Sequence, residues 1–201
     1  MSREKLNMAE EKIKVKKRKV AWGITGGGDK IAEFLEVMKE IQKEYESTVE
    51  IQAFLSKAAD IVLKYYSLEN DLRKNFAKVR VELNSNAPFL AAWMQMRKYE
   101  FLLIAPATSN TVSKIANSIG DTLLTNATIM SLKAFVPVYI APTDYKEGVT
   151  YTKLPNGKEM KLRVRKEEVA QVKKLERMEN IFVLKGPQKI REVFKKWFGE
   201  A

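Results

Sequence analysis

The sequence predicts a three-layer α/β/α domain built on a parallel β-sheet. Short apolar segments alternate with amphipathic segments of helical period along most of the chain. The run Phe101–Ala105 is apolar throughout, as in a strand buried on both faces. A single turn signal, Pro155-Asn156-Gly157-Lys158, interrupts this alternation and indicates a β-hairpin insertion near 149–165. Strands that alternate with helices form parallel sheets covered by helices on both sides.

The pattern assigns the elements in order. In the first half we expect strands at Lys19–Ile24, Val49–Leu55 and Lys78–Glu82, and helices at 29–46, from Ser56 through Tyr66, at Glu69–Phe76 and at 88–97. In the second half we expect strands at Phe101–Ala105, Val136–Ala141 and Ile181–Leu184, and helices at 110–133 with a break at Gly120-Asp121, at 166–178 and at 187–198. This order is typical of flavodoxin-like and Rossmann-like sheets. We expect one domain at 19–201, preceded by a basic, flexible arm at 1–18.

The composition excludes several kinds of chemistry. The 201 residues contain no cysteine and no histidine. Thiolate catalysis, iron–sulfur clusters held by this chain and histidine-based acid–base catalysis are therefore excluded. No carboxylate motif indicates a metal site, and no side chain stands out as catalytic. We expect the chain to obtain its reactivity from a bound cofactor.

The net charge of +11 is unevenly distributed. Residues 1–20 contribute +5 and residues 151–201 contribute +7, whereas the intervening residues are nearly neutral. Such basicity fits an acidic electron carrier, a nucleic-acid backbone or a solvated surface. Nucleic-acid binding by the arm has little support, because no recognition motif is present and no aromatic residues interleave with the lysines of Lys14–Lys19. No apolar run is long enough to span a membrane and no signal-peptide core is visible, so the cytoplasm is the expected location and no membrane partner is expected.

Two unusual loops are predicted to meet. In a doubly wound sheet the chain begins in the middle, and ligands bind where the winding direction reverses, at the carboxyl ends of the strands. With three strands on the first wing, the first and fourth strands are neighbours at this point. Their exit loops are Gly23–Gly28 and Pro106–Asn110. We therefore expect the ligand site between these loops.

The first loop, GITGGGDK, suits a phosphate, because glycine amides at a helix N-terminus attract anions. It is not a Walker A loop, which requires Gly-Lys followed by a hydroxyl residue. The second strand ends in Ser56-Lys57 rather than in the acidic residue of a dinucleotide fold, which favours a mononucleotide. Ser56 also fits a helix N-cap, as does Thr108 or Ser109, whereas capping does not readily explain Asn110.

The segments GITGGG at 23–28, LSKAAD at 55–60 and APATSNTVSKIANSIGDTLLTNA at 105–127 resemble a known family. This is the flavoprotein family of the phosphopantothenoylcysteine decarboxylases, the flavin prenyltransferases and the dipicolinate synthase flavin subunit. The opening VAWGITG, the segment SNAPFL and the PNGKE hairpin resemble a narrower archaeal branch, the archaeoflavoprotein A type.

The resemblance implies FMN held between subunits of a homo-oligomer, usually one built from trimers, with a dimer as the alternative. The phosphate would lie on Gly26–Gly28 and Ser56, the ring near Thr108–Asn110, and residues around Asn86–Leu90 nearby or on a neighbouring subunit. The predicted cofactor-binding residues are Gly23, Thr25, Gly26, Gly27, Gly28, Ser56, Lys57, Asn86, Pro88, Ala107, Thr108, Ser109 and Asn110.

The departures from the family pattern argue against decarboxylation. The position of the decarboxylase histidine falls near Ala92, and Pro142–Glu147 does not match the PxMNxxMW motif. The resemblance to the archaeal branch instead implies an FMN redox protein that accepts electrons from ferredoxin and passes them to an acceptor. An FMN-dependent reductase of a pterin or another small molecule is the alternative.

Overall fold

The computed structural model describes residues 17–28 and 30–200, and it contains a parallel sheet and a separate hairpin. The strands are β1 (Arg18–Ile24), β2 (Val49–Leu55), β3 (Val79–Val81), β4 (Leu102–Ala107), β5 (Val138–Pro142), β6 (Gly148–Lys153), β7 (Glu159–Val164) and β8 (Ile181–Val183). Six of them form one sheet in the order β3-β2-β1-β4-β5-β8, with every neighbouring pair parallel. The antiparallel pair β6–β7 forms its own two-stranded sheet.

Helices cover both faces of the sheet. They are α1 (Lys30–Glu44), α2 (Lys57–Tyr65), α3 (Glu69–Asn75), α4 (Leu90–Gln95), α5 (Ser109–Ala116), α6 (Leu123–Lys133), α7 (Lys166–Leu175) and α8 (Lys189–Phe198). Helices α1, α2, α3 and α8 contribute to one buried apolar cluster, which includes Trp22 and Phe101. Helices α4 to α7 contribute to a second, which includes Phe54 and Ile104. The predicted three-layer, Rossmann-like and flavodoxin-like fold is therefore confirmed.

The observed elements follow the predicted order with small changes at their ends. Strand β2 has the predicted bounds, and the predicted hairpin is present around Asn156-Gly157. The predicted break in 110–133 separates α5 from α6, and a Cβ at Gly120 would lie 2.8 Å from Ile129 Cδ1, which shows how tightly this turn packs. Helix α4 is shorter than predicted because the chain before Leu90 forms a tight turn, in which Asn84 Oδ1 accepts the Asn86 and Ala87 N–H groups.

The predicted basic arm falls largely outside the described residues. Within the described part, Arg18 opens β1 and makes a bidentate ion pair with Glu100, at 3.0 Å for each hydrogen bond. It also donates to the Trp197 carbonyl at 2.8 Å. Arg18 thus ties the start of the sheet to the C-terminal helix. Among residues 17–28 and 30–200, no helix has the length and apolar composition needed to cross a membrane.

A buried carboxylate connects two helix N-termini at the carboxyl end of β3. The Glu82 side chain accepts the Leu123 N–H at 2.9 Å and the Lys57 N–H at 3.4 Å. Both N–H groups belong to first helical residues, which have no intrahelical acceptor. The positive ends of two helix dipoles stabilise this buried charge. Glu82 therefore fixes α2 and α6 relative to the sheet.

The Gln52 side chain, on β2, is the centre of a second buried polar network. Its Oε1 accepts from Tyr99 Oη at 2.8 Å and from Arg80 Nη1 at 3.0 Å. The Arg80 guanidinium also lies over the rings of Trp93 and Phe54. Burial raises the pKa of the Tyr99 phenol to about 12, against the lowering effect of Arg80.

We predict that Tyr99→Phe changes how stability depends on pH. A raised pKa favours the neutral phenol in the native state, so this contribution is complete below about pH 10 and is lost as the pH rises towards 12. At pH 8 the variant should be less stable by about 1 kcal/mol, because one hydrogen bond is lost. At pH 11 this difference should shrink by about 1 kcal/mol, because the unfolded wild-type phenol ionises. Urea unfolding of both proteins measures the difference, in which the shared lysine titration cancels. A constant difference would contradict the prediction.

Candidate functional site

The exit loops of β1 and β4 meet at the switch point, as predicted. The Thr25 hydroxyl donates to the Pro106 carbonyl at 2.8 Å and accepts the Thr108 N–H at 2.8 Å. The Thr25 N–H also reaches the Pro106 carbonyl at 3.2 Å. On the far side, the Thr143 N–H donates to the Ala107 carbonyl at 2.9 Å. The carboxyl ends of β1, β4 and β5, which are neighbours in the sheet, are thus joined through the second loop.

Two glycines of the first loop are required by this geometry. A Cβ at Gly27 would lie 2.7 Å from Pro106 Cγ and 2.9 Å from Pro106 Cβ, so a side chain would force the loops apart. Gly28 has a φ of 52°, in the left-handed region that favours glycine. Because Gly27 has no side chain, the first loop can lie directly against Pro106 of the second loop.

The loops form the floor of a cavity of about 480 Å³. Side chains from the end of α2 and from one face of the hairpin form the walls. The lining residues are Gly26, Gly27, Gly28, Lys30, Val62, Tyr65, Tyr66, Thr108, Ser109, Asn110, Thr143, Asp144, Thr150, Thr152, Leu154, Met160 and Leu162. This volume is in the range of small-ligand sites in proteins.

A larger groove, of about 570 Å³, lies near the amino ends of the strands. Charged side chains of both signs line it, among them Lys39, Glu50 and Lys78. Several of these charges neutralise one another, as in the Lys78–Glu50 ion pair at 2.5 Å. None of the predicted site residues lines this groove, so we place the functional site at the smaller cavity.

The cavity brings together six of the predicted cofactor-binding residues, namely Gly26, Gly27, Gly28, Thr108, Ser109 and Asn110. Thr25 and Ala107 are buried directly beneath them and support the loops. Gly23 is covered by Leu124, whose Cδ2 would lie 2.7 Å from a Cβ at that position.

The remaining four predicted residues lie away from the cavity and from the two loops that form its floor. The Ser56 hydroxyl accepts the Ala59 N–H at 3.0 Å and caps α2, and Lys57 is exposed at the first position of that helix. Asn86 and Pro88 belong to the turn before α4, where Asn86 Oδ1 accepts from Asn126 Nδ2. Their roles in cofactor binding remain predictions.

The cavity floor presents backbone N–H groups. Among the described residues, no hydrogen bond uses the N–H of Gly26 or Gly28. The first N–H groups of α5 also lack intrahelical acceptors, and α5 begins at Ser109 in the second loop. Lys30, at the start of α1, adds a positive side chain. Amides and a cation in this arrangement suit a phosphate or another anion.

Sequence reasoning missed Asp144 and the part played by the hairpin. Asp144 Oδ2 accepts from Ser109 Oγ at 2.5 Å and from Thr143 Oγ1 at 2.9 Å. The hairpin contacts α2 where Tyr66 Oη donates to the Lys153 carbonyl at 3.3 Å. For Asp144, the one sequence signal is that Pro142–Glu147 does not match the family motif.

Comparison with known proteins assigns the chain to a family. A family model described as Flavoprotein matches residues 8–194, which is nearly the whole chain. The chain belongs to the Flavoprotein family. Both loops of the candidate site, together with the hairpin, lie inside the matched range.

Two relatives of this Flavoprotein family member come from Methanocaldococcus jannaschii. An uncharacterised protein is 48% identical over 178 residues, covering 89% of this chain and 95% of the relative. A protein named dihydromethanopterin reductase (acceptor) is 30% identical over 236 residues, covering 88% of this chain and 95% of the relative.

Solved structures agree with the Flavoprotein assignment. The Burkholderia xenovorans protein DmrB, crystallised in complex with FMN and described as a cubic protein cage for redox transfer, gives a TM-score of 0.75 at 30% identity. The similarity covers 90% of this chain and 94% of DmrB. A dodecameric FMN-dependent UbiX-like decarboxylase from Escherichia coli O157:H7 gives a TM-score of 0.58 at 16% identity and supports the fold alone.

We predict that Thr25→Val separates the two loops. The substitution keeps the shape of the side chain but leaves the partly buried Thr108 N–H without its acceptor, which should cost about 1–3 kcal/mol of unfolding free energy. Thr128→Val is the matched control, because the equally buried Thr128 hydroxyl donates only within its own helix, to the Leu124 carbonyl at 2.8 Å. Denaturant unfolding compares the two variants. Equal losses would show that the Thr25 hydroxyl contributes no more to stability than a buried hydroxyl bonded within its own helix.

Proposed function

We propose that this chain is an FMN-dependent oxidoreductase that receives electrons from a protein donor and delivers them to an organic acceptor. The observation that carries the proposal is the meeting of two amide-rich turns at the switch point of a parallel sheet, in a member of the Flavoprotein family. The absence of cysteine and histidine from the sequence makes a bound redox group the natural source of reactivity.

The residues of the cavity fit FMN. The N–H groups of the glycine loop and the Lys30 ammonium would bind the phosphate. The polar side chains of Thr108, Ser109 and Asn110 would hydrogen-bond the heterocycle or the ribityl chain. Bound FMN supplies the ability to take electrons singly and to release them singly or in pairs. The protein's part is to hold the cofactor and to position the acceptor beside it.

We predict that the protein binds FMN more tightly than riboflavin by about tenfold to a hundredfold, because charge-assisted hydrogen bonds to the phosphate are lost with riboflavin. Lys30→Met should weaken the binding of FMN but not of riboflavin. Quenching of flavin fluorescence measures both dissociation constants.

Lys57→Met is the comparison variant for this experiment, because Lys57 is a predicted phosphate ligand that lies outside the cavity. A selective loss of FMN affinity in Lys57→Met would indicate that the phosphate binds near Ser56 and Lys57 instead of beside Lys30. A protein that binds neither flavin would contradict the proposed function.

A small organic acceptor is favoured over a pure protein-to-protein relay. The cavity is open, and its hairpin wall offers both hydroxyl and apolar side chains, among them Thr150, Thr152 and Leu162. The similarity to the relative named dihydromethanopterin reductase (acceptor) covers most of the chain, which supports a dihydropterin as the electron acceptor. A pocket of this kind suits a planar heterocycle.

The donor side of the proposal is a small acidic electron carrier of the ferredoxin class. The two strands of the hairpin place Lys153, Lys161 and Arg163 on the face opposite to the cavity, beside the exposed Tyr151. We call this the outer hairpin face. A basic face next to the cofactor would attract an acidic partner and orient it.

We predict that reduction of the FMN-loaded protein by reduced ferredoxin slows severalfold between low salt and about 0.5 M salt, because screening removes long-range attraction. The variant Lys161→Glu/Arg163→Glu should be slow at low salt and nearly insensitive to salt. The control Lys189→Glu/Lys196→Glu carries the same charge change on α8 and should behave like the wild type. Stopped-flow absorbance follows the reaction. Salt-independent reduction would exclude steering, and no reduction would exclude this donor.

Self-association is the last part of the proposal. Helices α4 and α6 carry exposed apolar side chains at their ends, including Phe89 at 65% and Phe135 at 72% relative exposure. Exposed aromatic side chains of this kind mark contact surfaces. Asn86 and Pro88 lie next to Phe89, so a second copy packed there would bring them towards a neighbouring cavity. The cage described for DmrB supports such an assembly.

A further inference from the structure

The Asp144 carboxylate is the one acidic side chain among the described residues that line the cavity. Asp144 is the second residue after β5 and is half-buried. Both hydroxyls that contact it, those of Ser109 and Thr143, donate to the same oxygen, Oδ2. No described hydrogen bond or ion pair uses the other oxygen, Oδ1. The second oxygen is therefore an available acceptor held in a fixed orientation.

A carboxylate at this place would not match the phosphate or the pyrimidine edge of FMN. The phosphate is negative, so Asp144 would repel it. The pyrimidine edge of an isoalloxazine has one N–H group between two carbonyl oxygens. A carboxylate with two acceptor oxygens would meet one donor and one repelling acceptor there. A ribityl hydroxyl would offer Asp144 a single donor, whereas a ligand with two adjacent N–H groups would use both lone pairs of Oδ1. The available oxygen therefore indicates a ligand of the second kind, separate from the cofactor.

We propose that Asp144 binds the acceptor, through the ring N–H and the exocyclic amino group of a 2-amino-4-oxopteridine. This inference rests on the proposed function and deepens it, because it names the edge of the substrate that the site recognises. Oδ2 already accepts two hydroxyl hydrogens, whereas both lone pairs of Oδ1 are available. The two adjacent N–H groups of the ligand would converge on Oδ1 in charge-assisted hydrogen bonds.

Ser109 and Thr143 act as positioning residues for this carboxylate. Their hydroxyl hydrogens point to Oδ2, which fixes the plane of the group and keeps it an acceptor. Ser109 starts α5 in the second loop and Thr143 is the first residue after β5, and the bond from Thr143 N to the Ala107 carbonyl joins the two segments. The orientation of Asp144 is thus set by the same loops that form the cofactor floor.

The hairpin supplies the opposite wall. Thr150 pairs with Leu162 and Thr152 with Met160, so these four side chains share the face that lines the cavity. Thr152 is 7% exposed, which shows how closely the hairpin covers this region. An apolar wall with hydroxyl groups, facing a carboxylate, suits a flat ring with one strongly polar edge.

Asp144→Asn with two matched ligands tests the inference. One ligand is a 7,8-dihydropterin and the other is its 2-oxo analogue, in which a carbonyl replaces the amino group. An asparagine side chain offers one acceptor and one donor, which matches the 2-oxo edge instead of the 2-amino edge. Glu147→Gln is the control, because Glu147 is an exposed carboxylate three residues further on and lies outside the cavity.

Binding is measured by fluorescence titration of each ligand into the FMN-loaded, oxidised protein, and turnover by oxidation of the chemically reduced flavin. The wild type and Glu147→Gln should prefer the 2-amino ligand by about tenfold to a hundredfold, as expected for hydrogen bonds to a charged group. Asp144→Asn should lose or reverse this preference, in KM more than in kcat. Thr143→Val keeps the charge and should show an intermediate loss.

The outcomes separate the inference from the function on which it rests. If the wild type oxidises its flavin with both ligands and Asp144→Asn keeps the original preference, the role of Asp144 is wrong and the reductase function stands. If the wild type binds and reacts with neither ligand although it holds FMN, the organic acceptor and the role of Asp144 both fail. Unchanged FMN affinity in Asp144→Asn supports the assignment to the acceptor, and a large loss of FMN affinity overturns it.

Discussion

The Thr25 hydroxyl is the contact on which the candidate site depends. It bridges the exit loops of β1 and β4 by donating to one backbone group and accepting from another. The bond to the Pro106 carbonyl is buried and the bond from the Thr108 N–H is partly buried, so the loss of the hydroxyl weakens the pairing of two backbone groups. Gly27 lies close to Pro106 beside this bridge. The amide donors of both loops then face one cavity.

Much of the fold follows from local patterns. The bounds of β2 are predictable because a polar stretch precedes the strand and the Ser56 cap follows it. The parallel order follows from strand–helix alternation, and the switch point follows from the number of strands on the first wing. For this reason the meeting of the two loops is visible in the sequence before any coordinates are considered.

The walls of the site are less predictable, for a physical reason. The alternation of residues 148–164 identifies a hairpin. Because its two strands pair with no strand of the main sheet, no strand register fixes the position of the hairpin relative to that sheet. Its position depends on side-chain contacts and on the bond between Tyr66 and Lys153. The importance of Asp144 depends in turn on Ser109, which lies thirty-five residues away in sequence. The Ser109 hydroxyl donates to this carboxylate, and its role in cofactor binding stays a prediction.

The separate hairpin has an evolutionary consequence. The four inner strands of the main sheet pair on both edges and are covered on both faces, so changes in them disturb the core. Strands β6 and β7 bond only to each other, and most of their side chains face either the cavity or solvent. Mutations there can accumulate without altering the two loops of the candidate site. Lineages that inherit this scaffold are therefore free to diversify their reaction partners by remodelling one small ribbon.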